Sequence, residues 1–391
     1  MNPAAKWPAL LILLLACAAC ATPASRKELP DTPAGGRPAL STDEAGLWMV
    51  MDRVEQDVRT SGRLVSDPAL NAYVRGVACK IAADYCQDLR VYVLEAPDFN
   101  AAIAPNGFMV VFTGALLRCH NEAQLAYLLA HEVSHYQRRH TLQQWRDIRS
   151  TVGALLFPQI ALSVVGLGPA VTIAELAAIG SILQFSREQE READAFGLDR
   201  IAAAGYDPGE SVDVWTRLIA EKKAAKDDEP FLFFATHPPS EERAATLRDR
   251  AAALTAAGNA DFDGADEYRD ATLALRGGWL RDELRRREFD RTQVVLNHLT
   301  TEGVRLGEVS FYRGELYRLR AADGDDRRAI DAYRTALASE GAPPETHRGL
   351  AEVYRHGGDA KQARAEFAEY LRLKPDAPDR AMIETYLHSS E

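Results

Sequence analysis

The sequence predicts an α+β protein: a mainly helical domain carrying a small antiparallel sheet, followed by an all-α region of repeated hairpins. Three short β-rich runs lie close together between residues 89 and 113, apolar residues elsewhere recur at helical spacing, and the C-terminal part repeats itself with an offset of 34 residues. With 391 residues, 47% of them hydrophobic, the chain can bury a substantial core shared among two or three domains.

The first residues place Lys6 ahead of an apolar run from Ala9 to Ala16 and small residues around Cys17 and Cys20. This is a secretory signal over residues 1–19, and its apolar run is shorter than the roughly 20 residues of a membrane-spanning helix. The tract resembles a bacterial lipoprotein signal. Cys20, preceded by Ala18 and Ala19, is then the lipidated first mature residue, with Cys17 as the alternative. The other reading is a simple cleaved signal without lipid, and either processing exports the protein. Residues 20–40 are rich in Pro, Gly and small residues and read as a flexible tether.

Helices are expected over Ser41–Thr60 and Asp67–Ala83, the second with Asp67 as cap and Pro68 in its first turn. Three cysteines remain beyond the signal. In an oxidising compartment Cys79 and Cys86 are the expected pair and Cys119 the leftover, the alternative being three buried thiols. On an unbroken helix the pair would stand about 10 Å apart, so the helix has to end near Asp84 for the bridge to form.

Leu89–Leu94, Asn100–Ala104 and Phe108–Thr113 read as strands, the last two joined by a turn at Pro105, Asn106 and Gly107. Asn121, with Gln124 three positions on, caps a helix expected to run through His140. Thr151–Phe185 holds a single charge, Glu175, and is broken by Pro158, Gly166, Gly168 and Pro169. A buried or lid-like helical pair is favoured there over a membrane hairpin, since neither fragment reaches spanning length. In the tail, Ala329, Tyr333 and Ala336 recur as Ala363, Phe367 and Tyr370, an offset of 34 that is the tetratricopeptide period. Boundaries follow at 41–258 for the first domain and 267–391 for the repeats.

The chemistry lies in the helix after Asn121. Four residues apart on one face, His131 and His135 can aim their imidazoles at one metal ion, and Glu132 beside them is placed to act as general base on a water. A catalytic zinc needs a third protein ligand and an open position. Glu190 and Asp194, again four apart, offer a carboxylate for the metal and one to orient a ligand imidazole. A solvated charge run is the alternative for that segment. The balance of 46 basic and 57 acidic residues, a formal charge of -11, argues against nucleic acid as a partner.

With HEVSH and a later Glu-x-x-x-Asp in this order, and NAAIAPNGFMVVFTGALL just before the first, the chain resembles the HtpX and CAAX-prenyl-protease metallopeptidases, especially exported BepA-type members with tetratricopeptide tails. The resemblance implies a zincin-like domain binding one Zn2+ per chain through His131, His135 and Glu190, with Glu132 as catalytic base and Asp194 orienting a ligand. It also implies that Phe108–Thr113 is an edge strand for pairing substrate, and that His237 in THPPSEER is an inhibitory fourth ligand. A turn histidine fixed by Pro238 and Pro239 is the alternative for His237, with Arg243 anchoring the same loop. The expected function is an endopeptidase of the periplasm, anchored to the outer membrane by lipid, that removes misfolded or stalled envelope proteins, with the repeats meeting clients or outer-membrane assembly machinery. The alternative is a chaperone or adaptor whose repeats do the work while the metal site is latent.

Overall fold

A computed structural model describes residues 29–150, 184–225, 232–238, 241–258 and 260–388. The signal segment with Cys17 and Cys20, and residues 151–183 of the expected helical pair, lie outside the described residues. Among the described residues no helix is long and apolar enough to cross a membrane.

The chain is mostly helical around one three-stranded sheet. Helix α1 (Asp43–Thr60) is capped by Thr42, whose side chain accepts from the Ala45 N–H. Helix α2 (Pro68–Ala82) starts from Asp67, which accepts from the Leu70 N–H at 2.8 Å. It stops where Ala83 turns to a φ of +51°, and the following 3-10 turn, Ala83–Gln87, carries Cys86 back to Cys79. The two are disulfide-bonded with Cα atoms 4.6 Å apart, and Cys119 is a buried free thiol.

The sheet comprises β1 (Arg90–Leu94), β2 (Ala101–Ile103) and β3 (Phe108–Phe112) in the order β1-β3-β2. It is mixed, which corrects the expectation of an antiparallel sheet: β2 pairs antiparallel with β3, but β1 pairs parallel with it. Two reversals of direction separate β1 from β3, so when the β2–β3 hairpin docks through β3 the pair must run the same way. Strand β3 is central, not an edge, and the free edge belongs to β2. All five residues of β3 are buried because both faces are covered. Met109 and Val111 pack toward α2 and the next long helix, while Phe108, Val110 and Phe112 pack toward α1 and Leu142 and Trp145. Gly107 closes the β2–β3 turn at a φ of +82° against the Asp88 backbone, where a Cβ has no room.

After the short α3 (Thr113–Arg118) comes α4 (Glu122–Gln137), capped by Asn121 accepting from the Gln124 N–H at 2.9 Å. It ends three residues before the expected limit. Arg139 adopts a φ of +58°, and a separate helical stretch covers residues 140–150. The tether is also shorter than residues 20–40, because Asp31 pairs with Arg138, the Thr32 N–H bonds to the Gln137 carbonyl and the Gly35 N–H to Asp88. These groups find buried or half-buried partners on the domain and no longer behave as free chain.

Helix α5 (Arg187–Ala203) opens with a capping box between Ser186 and Gln189 and packs along α4. Then follow α6 (Glu210–Ala224), the short α7 (Leu232–Thr236) and α8 (Glu241–Ala256). The C-terminal region is helical throughout: α9 (Ala265–Arg285), α10 (Phe289–Glu302), α11 (Leu306–Arg320), α12 (Asp325–Leu337), α13 (Glu345–His356), α14 (Ala360–Leu373) and α15 (Arg380–His388). Helix α12 packs on both α11 and α13, and Tyr333 lies against Gly314 and Gly349, positions where any Cβ would strike its ring. One hydrophobic core runs from α2 and α4 through α9 to α13.

Candidate active site

Helices α4 and α5 supply the site. Gly197 faces α4 with an ideal Cβ only 3.2 Å from the His131 nitrogen, so the two helices touch backbone to backbone there. At that separation the carboxylates of Glu190 and Asp194 reach the imidazoles of α4.

His131, His135, Glu190 and His237 are all buried, and one candidate ligand atom from each lies within 4.8 Å of the others. The His131 Nε2 is 3.1 Å from the His135 Nε2 and 3.2 Å from the His237 Nδ1. Glu190 stands 3.6 Å from the His131 Nε2 and 3.7 Å from the His135 Nε2. Three ring nitrogens that face one another are poor hydrogen-bond partners, because a neutral imidazole carries one proton, and with that proton on the nitrogen pointing away the cluster meets lone pair to lone pair. A shared cation satisfies all three lone pairs and the carboxylate together. Burial, with His131 and His237 nearby, holds His135 well below the usual histidine range, so its ring is a neutral donor. The donor set fits a divalent metal ion.

Behind the cluster, Asp194 Oδ1 lies 3.1 Å from the His131 Nδ1 and accepts from the Tyr127 hydroxyl at 2.8 Å. Arg243 reaches the same carboxylate with Nη2 at 2.9 Å, contacts Glu190, and donates to the Pro238 carbonyl at 3.3 Å. Burial alone would raise the Asp194 carboxyl; Arg243 and His131 outweigh it and hold the group well below the usual carboxylate range. Asp194 is thus held as an anion beside the His131 Nδ1, a position that suits an acceptor for a proton on that nitrogen.

Glu132 turns the other way around α4, toward β2, where the Ile103 backbone hydrogen-bonds its carboxylate. Burial, then the charge of Glu190, push its carboxyl up to about 8; a cation among the ligands would pull it back down. The His237 Nε2 is 3.5 Å away. His237 itself is 2% exposed, its ring stacked on Phe233 at 4.4 Å, and its Nδ1 sits 2.9 Å from Glu190 Oε1. It occupies the fourth corner of the cluster.

All six residues singled out in the sequence for this site, namely His131, Glu132, His135, Glu190, Asp194 and His237, meet in one place, and Arg243 ties the His237 loop to Glu190 and Asp194 of α5. Sequence reasoning passed over Tyr127, Phe185, which stacks on the His135 ring at 3.9 Å, and His140, whose Nδ1 is 2.9 Å from the His135 Nδ1. Only His140 left a trace, as a third histidine five positions after the motif.

Residues 64–251 match the family model described as peptidase family M48. The putative beta-barrel assembly-enhancing protease of Vibrio cholerae is 28% identical over 259 residues, 63% of this chain and 52% of that protein. The beta-barrel assembly-enhancing protease of Escherichia coli strain K12 is 28% identical over 237 residues, 58% of this chain and 48% of that protein. A mitochondrial metalloendopeptidase of Schizosaccharomyces pombe is 34% identical over 167 residues, 42% of this chain and 47% of that protein. The chain spans about half the length of these curated relatives. A buried cluster able to hold a metal ion thus lies inside the matched segment, and residues 64–251 of this chain form a metallopeptidase domain that belongs to peptidase family M48.

Proposed function

We propose that the protein is a zinc-dependent endopeptidase of the bacterial periplasm, tethered to the outer membrane through lipid on Cys20, that hydrolyses misfolded or stalled envelope proteins. The observation that carries this reading is the convergence of His131, His135 and Glu190 from two helices with Glu132 alongside. His131, His135 and Glu190 would hold one zinc ion. Zinc, when bound, acidifies a water and polarises the scissile carbonyl. Glu132 takes the proton of the attacking water and passes it to the leaving amine, a role that its place beside the ligand cluster allows once a cation there keeps the carboxylate ionised. Asp194 and Arg243 hold His131 in the orientation that ligation needs.

Substrate enters as an extended chain along β2. The Phe112 N–H bonds to the Asn100 carbonyl and the Ala104 N–H to the Phe108 carbonyl, so Asn100 and Ala104 face β3 and, by alternation, the backbone groups of Ala101 and the Ile103 carbonyl face outward, while the Ile103 N–H meets Glu132. Pairing through backbone groups tolerates many sequences and requires an unfolded client. His237 is the inhibitory fourth ligand of a resting enzyme, and residues 267–391 are a tetratricopeptide-like region that presents clients or docks to outer-membrane assembly machinery. The names of the bacterial relatives, which speak of beta-barrel assembly, support that last assignment.

The test is metal content and casein-type proteolysis of the mature protein. About one zinc per chain and chelator-sensitive cleavage are expected. Glu132→Gln should keep the zinc and lose about 10²- to 10⁴-fold in rate. If that variant supports full function in cells, a chaperone or adaptor with a latent metal site is the better description.

A further inference from the structure

His140 is fully buried and abuts the far side of one ligand ring. The left-handed turn at Arg139 puts it there: α4 stops at Gln137, the chain reverses locally, and the first residue of the next helical stretch lies against His135. A non-glycine residue in that conformation costs energy, and where it persists the surroundings demand it. On its other side the His140 Nε2 is 2.9 Å from Glu192 Oε2. Glu192 is held in turn by Arg138, whose Nε donates at 2.6 Å, and Arg138 pairs with Asp31 at 2.6 Å.

The protons along this line have one consistent arrangement. A nitrogen that ligates a cation presents a lone pair, so with Nε2 aimed into the ligand cluster His135 carries its proton on Nδ1. That N–H donates across 2.9 Å to the His140 Nδ1, which must therefore be bare. The His140 proton then resides on Nε2 and donates to Glu192. We propose that His140, backed by Glu192, is a positioning residue for the metal: it fixes the tautomer and ring orientation of His135 and raises the basicity of the ligating nitrogen, as Asp194 does for His131. The inference rests on zinc binding at the cluster and adds an imidazole with its own carboxylate to the machinery on α5.

Two measurements on the full mature chain test it. In the zinc-loaded protein with nitrogen-15-labelled histidine, His140 should show an unprotonated Nδ1 and a protonated Nε2; the opposite tautomer overturns the proposal. In chelator competition, Glu192→Ala, a change at a partly exposed side chain that touches no ligand, should weaken zinc affinity about ten- to hundredfold, and His140→Leu at least as much. His140→Asn keeps an oxygen acceptor toward His135 and should recover most of the loss. Parent-like affinity in Glu192→Ala reduces His140 to packing and overturns the proposal even if His140→Leu fails to fold. A parent protein that takes up no zinc would sink the proposed function itself, an outcome distinct from zinc-loaded variants that match the parent.

Discussion

At the scale of single residues, the site is governed by which proton sits on which nitrogen. Asp194 is held ionised by Arg243, and the same guanidinium reaches Glu190 and the Pro238 carbonyl next to His237. One cation therefore links Glu190 and Asp194 of α5 to the loop that carries His237, the proposed fourth ligand. The His237 ring is also fixed by stacking on Phe233, so its place in the cluster does not depend on the metal alone. His237→Ala should raise proteolysis at unchanged zinc content, because it frees the fourth position while His131, His135 and Glu190 stay. Equal activity in variant and parent would remove the inhibitory role and leave His237 as a structural histidine.

At the scale of elements, the distance between α4 and α5 decides whether the ligands meet. Gly197 sets that distance, and Gly197→Val should force the helices apart and lower zinc content well below one per chain, read by metal analysis on protein that still shows helical circular dichroism. A different local device starts α12, where Asp325 accepts from Arg320, the Ala322 N–H and Arg328. Arg320 and Arg328 together with that backbone bond hold its carboxyl well below the usual range against the cost of burial. A carboxyl with a depressed folded-state pKa contributes stability that is present above its unfolded pKa, roughly 3.9, and is lost as pH falls below it. Asp325→Asn should lower the melting temperature at neutral pH, and the gap to the parent should close on acidification below about pH 4. A gap that stays constant would assign the loss to geometry and not to charge.

At the scale of the whole molecule, the catalytic part and the C-terminal helices share one core and a buried ion triad. Arg118 of α3 pairs with Glu221 of α6 at 2.8 Å and with Glu283 of α9 at 3.0 Å, all three nearly inaccessible. Arg286 at the end of α9 also pairs at 2.8 Å with Asp98, in the loop that leads into β2. The helical region therefore holds the strand proposed to meet substrate, so it cannot be deleted without disturbing the site. Arg118→Ala strands two buried carboxylates and should cost about 3–5 kcal/mol in urea unfolding. A loss under about 1 kcal/mol would mean that water enters the triad and that the junction is looser than its burial implies.

Much of the site was legible in the residues because its logic is local. His131, Glu132 and His135 need only a helix with 3.6 residues per turn, and Asn121 and Gln124 announce where that helix begins. The same holds for Glu190 and Asp194. The break at Arg139 was not legible, since no glycine or proline marks it, and with it went the place of His140. Strand order was also beyond the sequence, because a period of two fixes which residues share a face and says nothing about which strand lies beside which; the unbroken apolar run of β3 was the one sign that it is central. What the sequence by itself determined is the pair of motifs and the helices that carry them, each a matter of spacing along a few turns. Only the tertiary structure decided that these helices lie against each other at Gly197, that β2 is the open edge and that His237 comes to the cluster, because contacts between residues far apart in the chain depend on how whole elements pack and not on the pattern within any one of them.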